Sequence, residues 1–290
     1  MNFESIKELV LEAEKNKCSI GRVVLASQAQ ELEESEDTLM ERMGERLDVM
    51  LRSAEKGMDS GLRSTSGLTG GDAHKLFEKS EKAVMGSFMA KATGRAIAVA
   101  EYNAAMGKIV AAPTAGSCGI MPGCLISLME DKKIARDEII LSMFAAAGFG
   151  IVISTKACVA GAQGGCQAEC GSAAAMTAAA MVEAMGGTPA QAADACAIAL
   201  KNQLGLVCDP VAGLVEIPCI KRNAGGVAIA ASAADMALAG IVSKIPADEV
   251  ITAMKEVGDS MPAALRETAQ GGLAATPTGI RLKEQVFGKE

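Results

Sequence analysis

Three cysteines stand in segments stiffened by proline or glycine, where a thiol can serve as a metal ligand. Cys208 is followed by Asp-Pro, Cys219 is preceded by Pro218, and Cys166 follows the glycine pair Gly164-Gly165. Proline fixes the backbone φ angle and removes an amide donor, so Cys208 and Cys219 lie at rigid points of the chain. Thiolates hold structural zinc and the iron of iron–sulfur clusters. If only three thiolates held a four-iron cluster, one iron would stay open to a substrate.

The spacing of the cysteines leaves three interpretations open. The stretch from Cys208 to Cys219 is long enough to close a loop on one cluster. Cys166 and Cys170 have the short spacing of a zinc pair, but no second pair matches them and the sequence has 1 His. The 9 cysteines are an odd number, which argues against a disulfide framework, and a reduced cysteine is by default a small buried hydrophobe. An iron–sulfur cluster, a zinc site and inert thiols all remain open on spacing alone.

The composition indicates an acidic, helical protein. The chain has 290 residues, 50% of them hydrophobic, with no Trp, 1 Tyr, 6 Phe and a net charge of −7. A nucleic-acid partner is not expected, because there is no basic stripe and almost no aromatic side chain to stack on bases. The N-terminal segment lacks the basic start and apolar run of a signal peptide. The apolar segments Leu141–Thr155 and Gly226–Lys244 are predicted to be core helices, so we expect no membrane association and a cytoplasmic location.

Apolar residues spaced three and four apart predict a series of helices and no strand pairing. The predicted helices span residues 2–15, 20–56, 73–106, 124–131, 135–155, 172–185, 189–203, 224–243 and 247–258. Thr188-Pro189 is a strong helix start, with Thr as N-cap and Pro at the first position. Thr38 with Glu41 predicts a capping box that divides the second helix. The tail, residues 261–290, is expected to be loop-like.

Glycine-rich loops interrupt these helices. They lie at residues 60–72, 111–123, 160–171 and 205–222. We therefore expect an all-α fold, an Ala-rich helical bundle whose Gly-rich loops converge on a metal-cluster site. Residues 1–290 are predicted to form a single domain, in which residues 1–60 are a candidate helical lobe.

The first of these loops ends in the motif SGLTGGD. Its glycines, Gly70 among them, allow backbone N–H groups to turn inward and bind an anion, and Ser66 and Thr69 add hydroxyl donors. The functional interpretation is a cradle for a substrate carboxylate; the alternative is a flexible linker in which Asp72 is an ordinary N-cap. His74 is a weak candidate for a catalytic base, because a lone histidine at a helix start is more often simply solvated.

Two further segments offer polar groups. Thr114 and Ser117, with the backbone of the second loop, are candidates to bind a carboxylate or a cluster sulfide, unless this loop is only a tight turn between helices. Cys118 lies in the same loop and is expected to be a neighbour of the site, not a ligand. Asn223 is a candidate substrate-binding residue in Lys221-Arg222-Asn223, where a cation beside a cluster would favour thiolates and anionic substrates; the alternative is a charge pair facing water.

Taken together, these motifs resemble the α chain of the iron–sulfur-dependent bacterial L-serine dehydratases. The resemblance is carried by GGCQAE, CDPVAGLVEIPCIKRN and PTAGSCGIMPG, and extends to SGLTGGD and the C-terminal LAATPTG. It implies that Cys166, Cys208 and Cys219 hold a [4Fe–4S] cluster. Cys170 departs from the motif, which does not require a cysteine there; it is either a bystander or a substitute ligand.

The resemblance also implies a reaction and a partner. The reaction is β-elimination of water from L-serine to pyruvate and ammonia, with the open iron as Lewis acid and the Ser and Thr hydroxyls orienting the carboxylate. The catalytic base is unidentified, and a separate β subunit is expected. The alternatives are an iron–sulfur lyase for another small amino acid such as L-cysteine, and a non-enzymatic cluster or zinc scaffold. Pyridoxal phosphate is not expected, because no convincing lysine motif accompanies the glycine pairs.

Overall fold

The protein folds into thirteen α-helices, without a β-strand, over residues 3–288, which are the residues that the computed structural model describes. The helices are α1 (Ile6–Asn16), α2 (Ile20–Leu32), α3 (Glu36–Gly57), α4 (Asp72–Glu78), α5 (Gly86–Ala104), α6 (Ile120–Asp131), α7 (Arg136–Lys156), α8 (Gly161–Gly164), α9 (Ser172–Ala184), α10 (Pro189–Lys201), α11 (Cys219–Leu238), α12 (Ala247–Ser260) and α13 (Pro277–Phe287). The all-α fold class predicted from the sequence is confirmed.

Helix α9 lies at the centre of the fold. Its sequence is dominated by alanine, and all of its residues except Glu183 are buried. It packs against α6, α7, α10 and α11. Alanine favours the helical backbone, and its small side chain lets neighbouring helices approach closely. The first residue of α9, Ser172, follows directly on a π-helical turn, Gln167–Gly171, so the packed helix holds this turn in place.

The first three helices share the main hydrophobic core. Leu9, Leu25 and Leu47 are fully buried in the same cluster as residues of α7 and α9. The predicted capping box of Thr38 is wrong, because α3 begins earlier: Ser35 is its N-cap and accepts a hydrogen bond from the Thr38 N–H at 3.1 Å. Whether residues 1–60 form a lobe of their own remains a prediction.

Two segments that were predicted as loops contain helices. The 160–171 loop holds α8 and the π-helical turn, and the tail holds α13. Helix α13 begins at Thr276-Pro277, and the Thr276 hydroxyl accepts the Gly279 N–H at 3.1 Å. This is the same start signal as Thr188-Pro189, which is confirmed by a 3.2 Å bond from the Gln191 N–H to Thr188 Oγ1. The Thr-Pro pair at residues 276–277 therefore indicated a helix start, and the prediction of a loop-like tail was wrong for α13.

Helix α7 is long and apolar enough to cross a membrane by length and composition alone. However, 61% of its most apolar window is buried inside the protein, where it packs against α2, α3 and α9. A central helix of a globular protein passes the same test of length and hydropathy, so we interpret α7 as a core helix.

Candidate metal centre

Three cysteines from two distant parts of the chain share one buried cluster. Cys166, Cys170 and Cys208 pack together with apolar side chains, and the sulfur atoms of Cys166 and Cys170 lie 3.4 Å apart. Cys219 is also buried, and it lies near enough to this cluster for the charges of Cys166 and Glu169 to act on its thiol. We call these four thiols, Cys166, Cys170, Cys208 and Cys219, the cysteine pocket. The predicted ligands are all part of it, together with Cys170.

Gln167 fastens the π-helical turn that follows Cys166. Its side chain is fully buried; the carbonyl oxygen accepts the Gly205 N–H at 2.9 Å, and the amide donates to the Met254 carbonyl at 2.9 Å. Its backbone N–H donates to the Leu206 carbonyl at 3.0 Å. A π-helical turn costs regular hydrogen bonding and is frequent at functional sites. Two of these bonds hold the turn against the segment that leads to Cys208, and the bond to Met254 holds it against α12.

Cys208 is held by the C-terminal part of the chain. Its N–H donates to the Leu265 carbonyl at 2.8 Å, and its carbonyl accepts the Glu267 N–H at 2.7 Å. Cys208 thereby forms an isolated parallel bridge with Arg266. Both backbone groups of Cys208 are used, so the direction of its thiol is set by the segment around residue 266.

Arg222 of α11 binds the residues on either side of Cys208, and one of them, Asp209, also contacts the C-terminal part of the chain. One guanidinium nitrogen donates to the Val207 carbonyl and another to Asp209 Oδ1, both at 2.8 Å. The other carboxylate oxygen of Asp209 accepts the Leu273 N–H at 2.7 Å. The side chains of Arg222 and Asp209 are 16% and 4% exposed, so this pair lies inside the protein and does not face water.

The thiols of the cysteine pocket differ in acidity. The hydrogen bond with Cys170 lowers the pKa of Cys166 against the effect of its burial, and the charge of Arg222 lowers it further. Burial raises the pKa of Cys219 to about 12, and burial also raises the pKa of Cys208. A metal would displace the thiol protons on binding, since thiolates are the ligand form.

Glu169 lies beside Cys208. Its Oε2 atom is 3.7 Å from Cys208 Sγ, and it also interacts with the Thr114 hydroxyl. Burial raises the pKa of its carboxyl group. Among the described residues, one group of potential ligand atoms lies within 4.8 Å of one another, and it consists of Glu169, Cys208 and Glu267. The centre thus combines thiols with two carboxylates that the sequence analysis did not single out.

Gly161 leaves the space that Glu169 and Cys208 occupy. A Cβ atom at this position would lie 2.6 Å from Glu169 Oε2 and 3.0 Å from Cys208 Sγ. We expect Gly161→Ala to displace the Glu169 carboxylate and to lower the catalytic activity of this centre, proposed below, by about ten-fold or more. The matched control is Gly225→Ala on α11, where a Cβ meets nothing within 4 Å. Loss of activity in both variants, or in neither, would contradict this role for Gly161; circular dichroism checks that each variant folds.

The SGLTGGD loop binds a carboxylate, but one of this chain. The hydroxyls of Ser66 and Thr69 donate to the same oxygen of Glu216, at 3.0 and 2.7 Å. Glu216 is only 6% exposed and belongs to the segment between Cys208 and Cys219. These two hydroxyls therefore dock the segment between Cys208 and Cys219 onto the loop, and a substrate carboxylate in this cradle remains a prediction.

Gly70 and Asp72 shape the end of this loop. Gly70 has a φ of 130°, and a Cβ there would lie 2.2 Å from the Leu62 carbonyl oxygen. Asp72 is not the N-cap of α4; that position is Gly71, which has no side chain to cap with. The Asp72 carboxylate instead pairs with Lys75 at 2.9 Å and with Lys221, and these hydrogen bonds, that of Lys221 above all, lower its pKa.

A pocket of about 420 Å³ opens between this loop and the start of α11. Thr69, Asp72, Lys75, Glu216 and Lys221 contribute to its walls. It carries both signs of charge, as a pocket for an amino-acid zwitterion requires.

The second loop is fastened to α11 by Asn223. The side chain of Asn223 is fully buried; it accepts the Gly119 N–H at 2.8 Å and donates to the carbonyls of Gly116 and Cys219, at 2.8 and 2.9 Å. Its amide is fully used by the protein, so it positions the loop. The Thr114 and Ser117 hydroxyls lie 3.1 Å apart. Cys118 is fully buried in this loop, and burial raises its pKa to about 12.

His74 lies on the surface of α4. Its Nε2 atom is 3.3 Å from the carboxylate of Glu78, one turn further along the helix, and its side chain is 40% exposed. Within residues 3–288 no hydrogen bond or ion pair links it to the cysteine pocket.

The fold and these contacts define an all-α protein with a buried centre of thiols and carboxylates. The family model described as "Serine dehydratase alpha chain" matches residues 15–274. The chain belongs to this family, which confirms the resemblance seen in the sequence.

Curated relatives agree over nearly the whole chain. The chain is 51% identical over 288 residues to the probable L-serine dehydratase, alpha chain, of Bacillus subtilis, covering 99% of this chain and 96% of the relative. It is 45% identical over 283 residues to the L-serine dehydratase, alpha chain, of Peptoniphilus asaccharolyticus, covering 97% of each. The L-serine dehydratase of Streptomyces coelicolor is 38% identical over 279 residues, which are 94% of this chain but 60% of the relative.

Proposed function

We propose that this chain is the catalytic subunit of an iron–sulfur L-serine dehydratase, which eliminates water from L-serine to give pyruvate and ammonia. The observation that carries the proposal is the convergence of Cys166, Cys208 and Cys219, from three segments, in one buried pocket. Relatives that match almost end to end are named L-serine dehydratase alpha chains. Because all 9 cysteines are free thiols, we also propose a cytoplasmic location.

The donor set of the cysteine pocket fits an iron–sulfur cluster. Thiolates are the ligands of such clusters; Cys166, Cys170 and Cys208 share one buried cluster, and Cys219 lies within electrostatic reach of it. Cys166, Cys208 and Cys219 would hold the cluster, with Cys170 in contact with Cys166 as the substitute. When bound, the cluster would supply a Lewis-acidic iron for the departure of the hydroxyl group.

The protein groups around the pocket provide charge and position. Arg222 places a positive charge beside Cys166, which favours thiolates there. Gln167 and Asn223 hold the two loops that border the pocket. Glu169 replaces His74 as the candidate base in this chain. Its carboxylate, next to Thr114 and Cys208, would accept the α-proton of serine, and burial raises its pKa.

We propose the pocket between the SGLTGGD loop and α11 as the site that binds serine. Lys75 and Lys221 contribute cations to the 420 Å³ pocket, and these would attract a carboxylate. Ser66 and Thr69 would reach the substrate only if it replaced Glu216 as their acceptor, because both hydroxyls already donate to that carboxylate. Glu216 in turn is suited to an ammonium group.

A β subunit is proposed as the partner. The name alpha chain, given to the full-length relatives, implies a second subunit. The Streptomyces coelicolor relative extends well beyond the part that matches this chain, as expected if it carries the second portion in the same polypeptide. No nucleic acid or membrane is part of the proposal.

Oxygen-free purification tests this function. We expect iron and acid-labile sulfide in the protein, conversion of serine to pyruvate in the presence of the β subunit, and loss of activity in air that ferrous iron with a reductant partly restores. An exposed iron explains the loss, since oxygen can remove it. Zinc without sulfide would support a zinc scaffold instead, faster conversion of cysteine than serine would support a different lyase, and full activity without the β subunit would refute the partner.

A further inference from the structure

Glu267 is an exposed carboxylate that nevertheless faces the buried centre. Its carboxylate oxygen, Cys208 Sγ and a Glu169 carboxylate oxygen all lie within 4.8 Å of one another. Its backbone N–H donates to the Cys208 carbonyl at 2.7 Å, so the position of Glu267 is tied to that of the cysteine. A group bound by the Cys208 thiol would therefore lie close to the Glu267 side chain.

The backbone at Glu267 adopts a conformation that a residue with a side chain rarely takes. Its φ is 61°, in the left-handed region, which costs free energy and persists only where the surrounding structure imposes it. The segment is held on both sides: the Leu265 carbonyl accepts from Cys208, and the Leu273 N–H donates to Asp209. The chain is thus bent over Cys208 by its neighbours, and the bend directs the carboxylate to the centre.

Within the described part of the chain, no direct ion pair balances the two carboxylates, although the charge of Arg222 acts on Glu169 from a distance. Over residues 3–288, neither Glu169 nor Glu267 forms a salt bridge. Arg222 already binds Asp209 and the Val207 carbonyl. Two carboxylates and a thiol this close repel one another when ionised, and a bound metal ion would remove that repulsion.

We propose that Glu267 is the exchangeable ligand of the iron that lacks a thiolate, bound to it before the substrate arrives. The inference rests on the proposed function. Glu267 suits this part better than Glu169, because Glu169 packs closely against Gly161 and interacts with Thr114, whereas Glu267 is exposed and has room to withdraw. The exchange is a ligand substitution without oxidation: the carboxylate leaves as an anion and an oxygen of the substrate takes its place.

The test compares wild-type protein, Glu267→Gln and the control Glu256→Gln, each with its β subunit and prepared without oxygen. Glu256 is an exposed glutamate of α12. The labile iron is removed by mild oxidation and replaced with iron-57, and a Mössbauer spectrum is recorded without substrate. We expect the spectrum of this iron to change in Glu267→Gln only. We also expect iron loss in air to be about ten-fold faster in that variant, and Glu267→Asp to restore part of the wild-type behaviour.

Different results would contradict the role of Glu267 and the presence of the cluster. Four irons in both proteins, with equal spectra and equal rates of iron loss in wild type and Glu267→Gln, would overturn the role of Glu267 and leave the cluster in place. A wild-type protein without iron and sulfide would overturn the proposed cofactor itself, and the role of Glu267 with it.

Discussion

Cys208→Ala is expected to abolish cluster binding and to lower the rate of serine dehydration by more than about 100-fold. A loss of that size is the upper end for residues that only support a metal ligand, and removal of a ligand should cost more. The thiol is a proposed ligand, and both backbone groups of Cys208 are bonded to residues 265 and 267, so the chain cannot shift to bring another thiol to its place. The measurements are iron and sulfide content, the visible absorbance of the cluster, and pyruvate formation with the β subunit, all without oxygen.

The matched control is Cys196→Ala. Cys196 is fully buried in α10 and belongs to the main hydrophobic core instead of the cysteine pocket. We expect this variant to lose only about 1 kcal/mol of stability and to keep its cluster. A Cys208→Ala protein that still binds four irons would refute the ligand assignment. The pair Cys166→Ala and Cys170→Ala then decides between the neighbouring thiols, since only the true ligand should be indispensable.

Arg222→Met is expected to lower the free energy of unfolding by about 3–5 kcal/mol, because it leaves the buried carboxylate of Asp209 without its counter-ion. The loss includes the bond to the Val207 carbonyl, which lies directly before Cys208. Urea unfolding of the metal-free protein measures this effect separately from cluster binding. In the loaded protein, we expect the same variant to hold its cluster less tightly, because the charge beside Cys166 is gone.

An exposed ion pair provides the comparison. The side chains of Arg42 and Glu34 are 54% and 29% exposed, and surface pairs contribute only about 0–1 kcal/mol. Arg42→Met should therefore have little effect. The double variant Arg222→Met/Asp209→Asn should recover part of the stability, since the unpaired charge is removed. If Arg222→Met costs no more than Arg42→Met, the buried pair does not stabilise the loops around Cys208.

The helical frame was largely readable from the sequence, because apolar spacing and capping residues act locally. Thr188-Pro189 starts α10 as predicted, and the Thr276-Pro277 signal was equally present although the tail was expected to be loop-like. The starts of α6 and α11 were placed too late. Helix α11 begins at Cys219, and Asn223 in its first turns bonds to the Gly116 carbonyl of the facing loop, a contact between segments far apart in the chain.

The sequence by itself determined the all-α class, the family, and the candidate ligand cysteines, since these depend on local periodicity and on motifs of adjacent residues. Only the tertiary structure decided the neighbours of those cysteines. It placed Glu169 and Glu267 beside Cys208, Arg222 inside instead of in water, Asn223 in backbone contacts, and His74 on the surface. The contacts of Glu169 and Glu267 with Cys208, and that of Asn223 with Gly116, join residues tens of positions apart, which meet only because the helices pack as they do.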